Sequence, residues 1–139
     1  MQSGSLIKPM LLLDTHVWWW ALNEPKKLSN KAYKIIRENP PNQRAIASIS
    51  MWEFAMMVST GKVEIRIPAD LWLDQAIRQT GLEVFDLNIR IAAESCNLPG
   101  DFHKDPADRI IVATARINEL TLVTKDKKIL SYPYAETIW

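Results

Sequence analysis

Four acidic residues of this chain stand where an apolar run stops. Asp14 follows Met10-Leu11-Leu12-Leu13, and Glu53 closes Ala47-Ser48-Ile49-Ser50-Met51-Trp52-Glu53. Asp108 lies in Asp105-Pro106-Ala107-Asp108-Arg109, and Asp126 follows Leu122-Val123-Thr124-Lys125. In an open α/β sheet the carboxyl ends of buried strands face the ligand crevice. Carboxylates gathered there repel one another: two unit charges about 4 Å apart cost about 4 kcal/mol at an effective dielectric of ~20. A divalent cation makes such a cluster tolerable, and an all-oxygen donor set with room for water suits Mg²⁺ or Mn²⁺.

Each acid also has a purely structural explanation. Glu53 stands three residues after Ser50, the spacing of a capping box. Asp105 precedes Pro106, the order expected of an N-cap followed by proline at the first helical position. Asp108 then falls in the first turn, where the helix dipole favours an acid. Asp14 can cap the helix after the first strand, and Asp126, among Lys125, Lys127 and Lys128, reads as a turn residue. Caps account well for Glu53 and Asp105. They account less well for Asp14 and Asp126, each of which follows a strongly apolar strand run.

The elements that must position these acids alternate along the chain. Apolar runs at 10–13, 45–49, 82–87 and 121–124 read as strands, with a further short strand within 134–139. Helical stretches fall at 17–22, 30–38, 50–59, 69–79, 89–96 and 106–118. Ser29 and Asn88 supply caps, Pro40-Pro41, Gly61 and Gly81 supply stops, and 62–67 reads as a linker with a brief extended stretch. Parallel neighbours need crossovers, so this alternation predicts an α/β fold with a central parallel sheet of four to five strands covered by helices. Strand ends and helix starts then share one rim, and topology brings the acids together.

Size and composition fit one domain. The chain has 139 residues, 47% hydrophobic and 24% charged, with a formal net charge of +1. Residues 1–9, with Gln2-Ser3-Gly4-Ser5, read as a flexible leader, and 10–139 as a single domain. The small net charge means that any nucleic-acid contact must be local. One cysteine, Cys96, and two histidines, His16 and His103, give neither a disulfide nor zinc-ligand spacing, which suits a reducing cytoplasm. No apolar run approaches the ~20 residues of a membrane span, and the N-terminus lacks the pattern of a secretory signal.

Leu11-Leu12-Leu13-Asp14-Thr15-His16-Val17-Trp18 resembles the opening motif of PIN-domain ribonucleases, specifically the VapC toxins of prokaryotic toxin–antitoxin pairs. Ser48 to Glu53 resembles the second acidic motif of that family, His103 to Ala115 the third, and Leu122 to Asp126 the fourth. The resemblance runs from about Met10 to the C-terminus with order and spacing intact. It implies a PIN-like three-layer α/β/α fold and a metal-dependent endoribonuclease that hydrolyses phosphodiester bonds of tRNA or rRNA. Asp14, Glu53, Asp108 and Asp126 match the acidic quartet, implied as catalytic residues and metal ligands with Mg²⁺ (or Mn²⁺). Asp105 matches an additional acid of one branch. The resemblance leaves open which of Asp105 and Asp108 holds the metal more directly; the local reading favours Asp108, because Asp105 is the better N-cap. An RNA substrate, a VapB-like antitoxin, a homodimer and no membrane are implied as well.

Thr15 and Thr124 stand beside the acids and can bond to them. Arg109 can contact phosphate or pair with an acid, and Lys104, Lys125, Lys127 and Lys128 can track an RNA backbone. Trp18-Trp19-Trp20 cannot share one helix face, because consecutive residues point about 100° apart. At least one faces a groove, a partner or solvent, and with Met51, Trp52, Met56 and Met57 would suit an antitoxin groove. Three rivals compete: a phosphatase of the haloacid-dehalogenase type, a receiver-like Mg²⁺-binding domain, and a non-catalytic PIN-like binding module. The first needs a second Asp where His16 stands, and the second leaves Glu53 and Asp105–Asp108 unexplained.

Overall fold

The computed structural model describes residues 10–139; the leader read into 1–9 lies outside the described residues. In order along the chain come β1 (Leu11–Leu13), α1 (Thr15–Asn23), α2 (Asn30–Glu38), β2 (Arg44–Ala47), α3 (Ile49–Ser59) and α4 (Ala69–Thr80). Then follow β3 (Glu83–Phe85), α5 (Ile89–Cys96), α6 (Pro106–Ile117), β4 (Thr121–Val123), α7 (Lys127–Leu130) and β5 (Thr137–Ile138). Among the described residues this makes five strands and seven α-helices. All strand pairs are parallel, in the order β3-β2-β1-β4-β5.

The pleat explains the layers. Successive strand residues point to opposite faces. Leu11, Leu13, Ile46 and Val123 enter one buried cluster with Val17, Trp18, Ala32, Ile36, Phe54 and Ala76 of α1–α4. Leu12, Ala45, Ala47 and Leu122 enter the other, with Ile91, Ile111, Val112, Ala115 and Ile129 of α5–α7. Both faces are covered, which is why Leu11-Leu12-Leu13 is apolar without alternation. Two cores on one sheet give the three layers, α/β/α.

Several boundaries differ from those read in the sequence. α1 begins at Thr15, because the Asp14 side chain already accepts from the Thr15 N–H. β2 ends at Ala47 rather than Ile49, since Ser48 has taken helical backbone angles (φ −59°, ψ −27°). β3 is shorter than 82–87. No strand forms in the linker at 62–67. Helix α7 and two short 3₁₀ turns, Pro25–Lys27 and Pro41–Gln43, are additions. The caps at Ser29 and Asn88 form, with bonds to the N–H groups of Ala32 and Ile91. Gly81 ends α4 in the left-handed region (φ 67°), where glycine carries no Cβ penalty.

Candidate active site

The strand order reverses between β1 and β4. From β1 the chain crosses to β2 and β3 on one side, and β4 and β5 close the other. A crevice at the carboxyl ends of the strands is expected at such a point, and a cleft of about 560 Å³ opens there. It is lined by Asp14, His16, Val17, Trp20, Glu53, Asp108, Lys125 and Asp126. A smaller hollow alongside, lined by His103, Asp105, Asp108, Asp126, Lys127 and Lys128, shares two of those acids.

Asp14 is held most firmly. It is buried at the end of β1. One carboxylate oxygen accepts from the Thr15 N–H (2.9 Å), and the other accepts from Thr124 Oγ1 (2.7 Å). Thr124 Oγ1 also accepts from the Asp126 N–H (3.0 Å), tying the ends of β1 and β4 into one unit. Glu53 projects from the second turn of α3. Thr15 Oγ1 lies 2.6 Å from Glu53 Oε1 and 2.7 Å from the fully buried Ser50 Oγ. A hydroxyl has one proton; given to the ionised Glu53, it leaves the Ser50 hydroxyl to donate the other link. Thr15 and Thr124 thus each orient one of the deepest acids.

The expected capping box at Ser50 and Glu53 is not made. Ser50 lies inside α3, whose N-cap is Ser48, and both side chains turn to Thr15 instead. Conversely, Asp14 and Asp126, which caps explained less well, both occupy N-cap positions. Asp126 accepts from the N–H groups of Lys128 and Ile129, so it caps α7 rather than lying in a plain turn. Asp105 caps α6 by accepting from the Asp108 N–H (2.9 Å). It is exposed, whereas Asp108 points into the cleft.

Asp108 feels the other acids most directly. Burial, followed by the charges of Asp105, Asp14, Asp126 and Glu53, pushes its carboxyl up to about 7. Asp14 is raised by burial, against the bonds from Thr124 and Thr15, and Asp126 adds to the rise. Glu53 is raised by burial, with further pressure from Asp14 and Asp105. His103 Nε2 lies 3.0 Å from Asp108 Oδ2, an approach without the direction of a hydrogen bond, and has no other partner. The acids ring the cleft rather than meet at a point. Among the described residues no three His, Cys, Asp or Glu side chains are grouped tightly enough to grip an ion as they stand. The donor set still fits a hard divalent cation: several carboxylates on one cleft, at mutual cost, with space for water.

Other expected residues fall elsewhere. Arg109 forms neither an ion pair nor part of the cleft lining. Its Nε donates to Ser95 O (2.7 Å) and its Nη1 to the carbonyls of Phe102 and His103 (3.0 and 3.1 Å). It ties the loop ahead of α6 to α5, because an arginine in α6 faces carbonyls that need a donor. Lys104 is exposed on that loop, outside the residues that line the cleft. Of the methionines read as a surface, Met57 is buried and Met51 packs against the core, while Trp52 and Met56 are exposed. Sequence reasoning missed Ser50 as a support for Thr15. Its signal, a small polar residue on an otherwise apolar helix start, was indistinguishable from a cap.

The PIN domain family model matches residues 11–133. Ribonuclease VapC22 of Mycobacterium tuberculosis is 35% identical over 131 residues, covering 93% of this chain and 98% of the relative. This chain belongs to the PIN-domain family and is a VapC relative. Its fold is shared with VapBC2 of Rickettsia felis bound to a promoter DNA fragment (TM-score 0.66, 22% identity, 93% and 98% of the two chains). DNA-bound VapBC of Salmonella typhimurium is similar in the same way (TM-score 0.67, 16% identity, 94% and 98%). A receiver-like domain is excluded on topology, since its sheet runs 2-1-3-4-5. The phosphatase reading falls to the family match, with His16 on the cleft wall where that chemistry needs a second Asp.

Proposed function

We propose that this PIN-domain protein is the toxin of a toxin–antitoxin pair, an endoribonuclease that hydrolyses RNA phosphodiester bonds with the help of Mg²⁺ or Mn²⁺. The observation that carries the chemistry is that Asp14, Glu53, Asp108 and Asp126 line one cleft, where burial and then the neighbouring acid charges raise the Asp108 carboxyl to about 7. Asp14 and Asp108 would hold the cation, with Glu53 and Asp126 as direct or water-bridged partners and Asp105 at the margin. When bound, the ion supplies water of lowered pKa and offsets charge on the phosphate. Glu53 orients the attacking water and takes its proton; burial raises its basicity, and Thr15 fixes its direction. Asp14, locked by two hydrogen bonds, sets the position against which the phosphate is aligned.

The ribonuclease activity accords with the VapC22 relative, and the antitoxin partner with neighbours that are VapBC complexes. A homodimer and a cytoplasmic location complete the reading; no described helix is long and apolar enough to cross a membrane. The test is incubation of purified, partner-free protein with tRNA and rRNA fragments, in Mg²⁺ or EDTA, beside Asp14→Asn. Cleavage should require Mg²⁺ and fall at least ~100-fold in the variant. Cleavage that persists in EDTA or in Asp14→Asn overturns the metal mechanism.

A further inference from the structure

The three consecutive tryptophans divide into two roles. Trp18 is buried and Trp19 half-buried, and both pack against Phe54 and Trp72 in the core beneath α1. Trp20, half-buried, packs against the edge of the same core and also lines the acidic cleft. One turn back on the same face, the exposed His16 ring lies 5.8 Å from it, tilted, and Trp139 lies 6.1 Å away. Two lysines reach over the same ring, Lys125 Nζ at 5.8 Å and Lys27 Nζ at 6.0 Å from its centroid, so a stacked base must displace a lysine tip, which is then free to meet its phosphate. Both are exposed, and Lys125 shares the cleft wall.

Cutting a phosphodiester with carboxylates and a cation requires no tryptophan. A partly exposed indole beside the acids leaves apolar surface in a polar cleft, and its surroundings indicate what covers it. Aromatic faces flanked by cations are the means by which proteins hold single-stranded nucleic acid: the base stacks and the phosphates meet the charges. A paired base buries its faces in the helical stack, whereas a splayed loop base offers them.

We propose that Trp20 is a stacking platform for an unpaired base next to the cleaved phosphate, with Lys125 on the neighbouring phosphate. This rests on the reading of the cleft as a site of RNA cleavage. Trp20 is then a positioning residue: it selects single-stranded targets and sets their register against Asp14 and Asp108. Lys27, which does not line the cleft, extends the track along the backbone.

The probe is an oligouridylate carrying one 2-aminopurine, titrated in Ca²⁺, beside the same strand with an abasic ribose at that position. Stacking is tolerant of sequence, so a generic strand reports it. Wild-type protein should quench the fluorophore and bind the abasic strand about tenfold more weakly. Trp20→Phe should keep most of that preference. Trp20→Leu, which keeps an apolar side chain without an aromatic face, should lose it. Equal behaviour of the Phe and Leu variants, or an abasic penalty unchanged in Trp20→Leu, overturns the platform. A Trp20→Leu protein that binds the probe normally but releases a protein partner overturns it in favour of a protein contact. Cleavage of tRNA and rRNA fragments by wild-type protein is assayed in parallel, so failure of the nuclease reading appears there and failure of the platform in the binding data.

Discussion

Asp108 carries the clearest electrostatic signature in the molecule. Its carboxyl ionises near 7 when folded, against an ordinary value of 3.8, so between those values the folded chain holds a proton that the unfolded chain releases. That contribution is full below the ordinary value and is lost as pH rises through about 7. Asp14 and Glu53 are shifted in the same direction. The melting temperature of metal-free protein should therefore fall between about pH 4 and about pH 7, measured by circular dichroism, and Asp108→Asn should flatten the fall and raise the value at the upper end. A variant that melts with the wild-type pH profile would contradict this origin. Thr15→Val tests the support of Glu53: activity should drop ~10- to 100-fold while the fold is retained. At this scale the sequence picked out the acids that line the cleft but not what holds them. Thr15 and Ser50 stand 35 positions apart, and Thr124 reaches Asp14 across 110. Such pairings appear only once the strands are placed.

Helix starts explain why the acids were ambiguous. Asp14, Asp105 and Asp126 each cap a helix that opens on the cleft, and Glu53 caps none. Capping and the proposed chemistry are therefore not rival explanations, because a helix that begins at a strand end puts its cap on the rim of the cleft. The two contributions can be separated by substitution. Asp126→Ser keeps a capping oxygen and should leave stability near wild type while lowering cleavage; Asp126→Ala should lose about 1 kcal/mol in addition. Asp105→Asn should keep the cap of α6 and cost less activity than Asp108→Asn, compared in one cleavage assay. Helices with strong punctuation, such as α2 between Ser29 and Pro40, could be read directly from the sequence. The short α7 could not, since four residues carry no periodicity.

Across the whole molecule, the alternation of apolar runs and helical stretches sufficed to predict a parallel sheet, because a strand covered on both faces has no polar side to show. Strand order was beyond it: nothing local in Thr121–Val123 says that β4 lies beside β1. A cation that binds only the folded chain should stabilise it by about 2.7 kcal/mol at a hundredfold excess over its dissociation constant. Mn²⁺ should accordingly raise the melting temperature of wild-type protein but not of the Asp14→Asn, Asp108→Asn double variant. The bond from Thr124 to Asp14 has a consequence for synthesis. Chains are made from the N-terminus, and Asp14 emerges long before β4, Thr124 and Asp126 exist to complete its surroundings. A nascent or truncated chain that ends before β4 lacks one wall of the cleft and the clamp on its deepest acid. Truncation before β4 should therefore abolish cleavage even though Asp14, Glu53 and Asp108 are all still present, as a cleavage assay on the shortened chain would show.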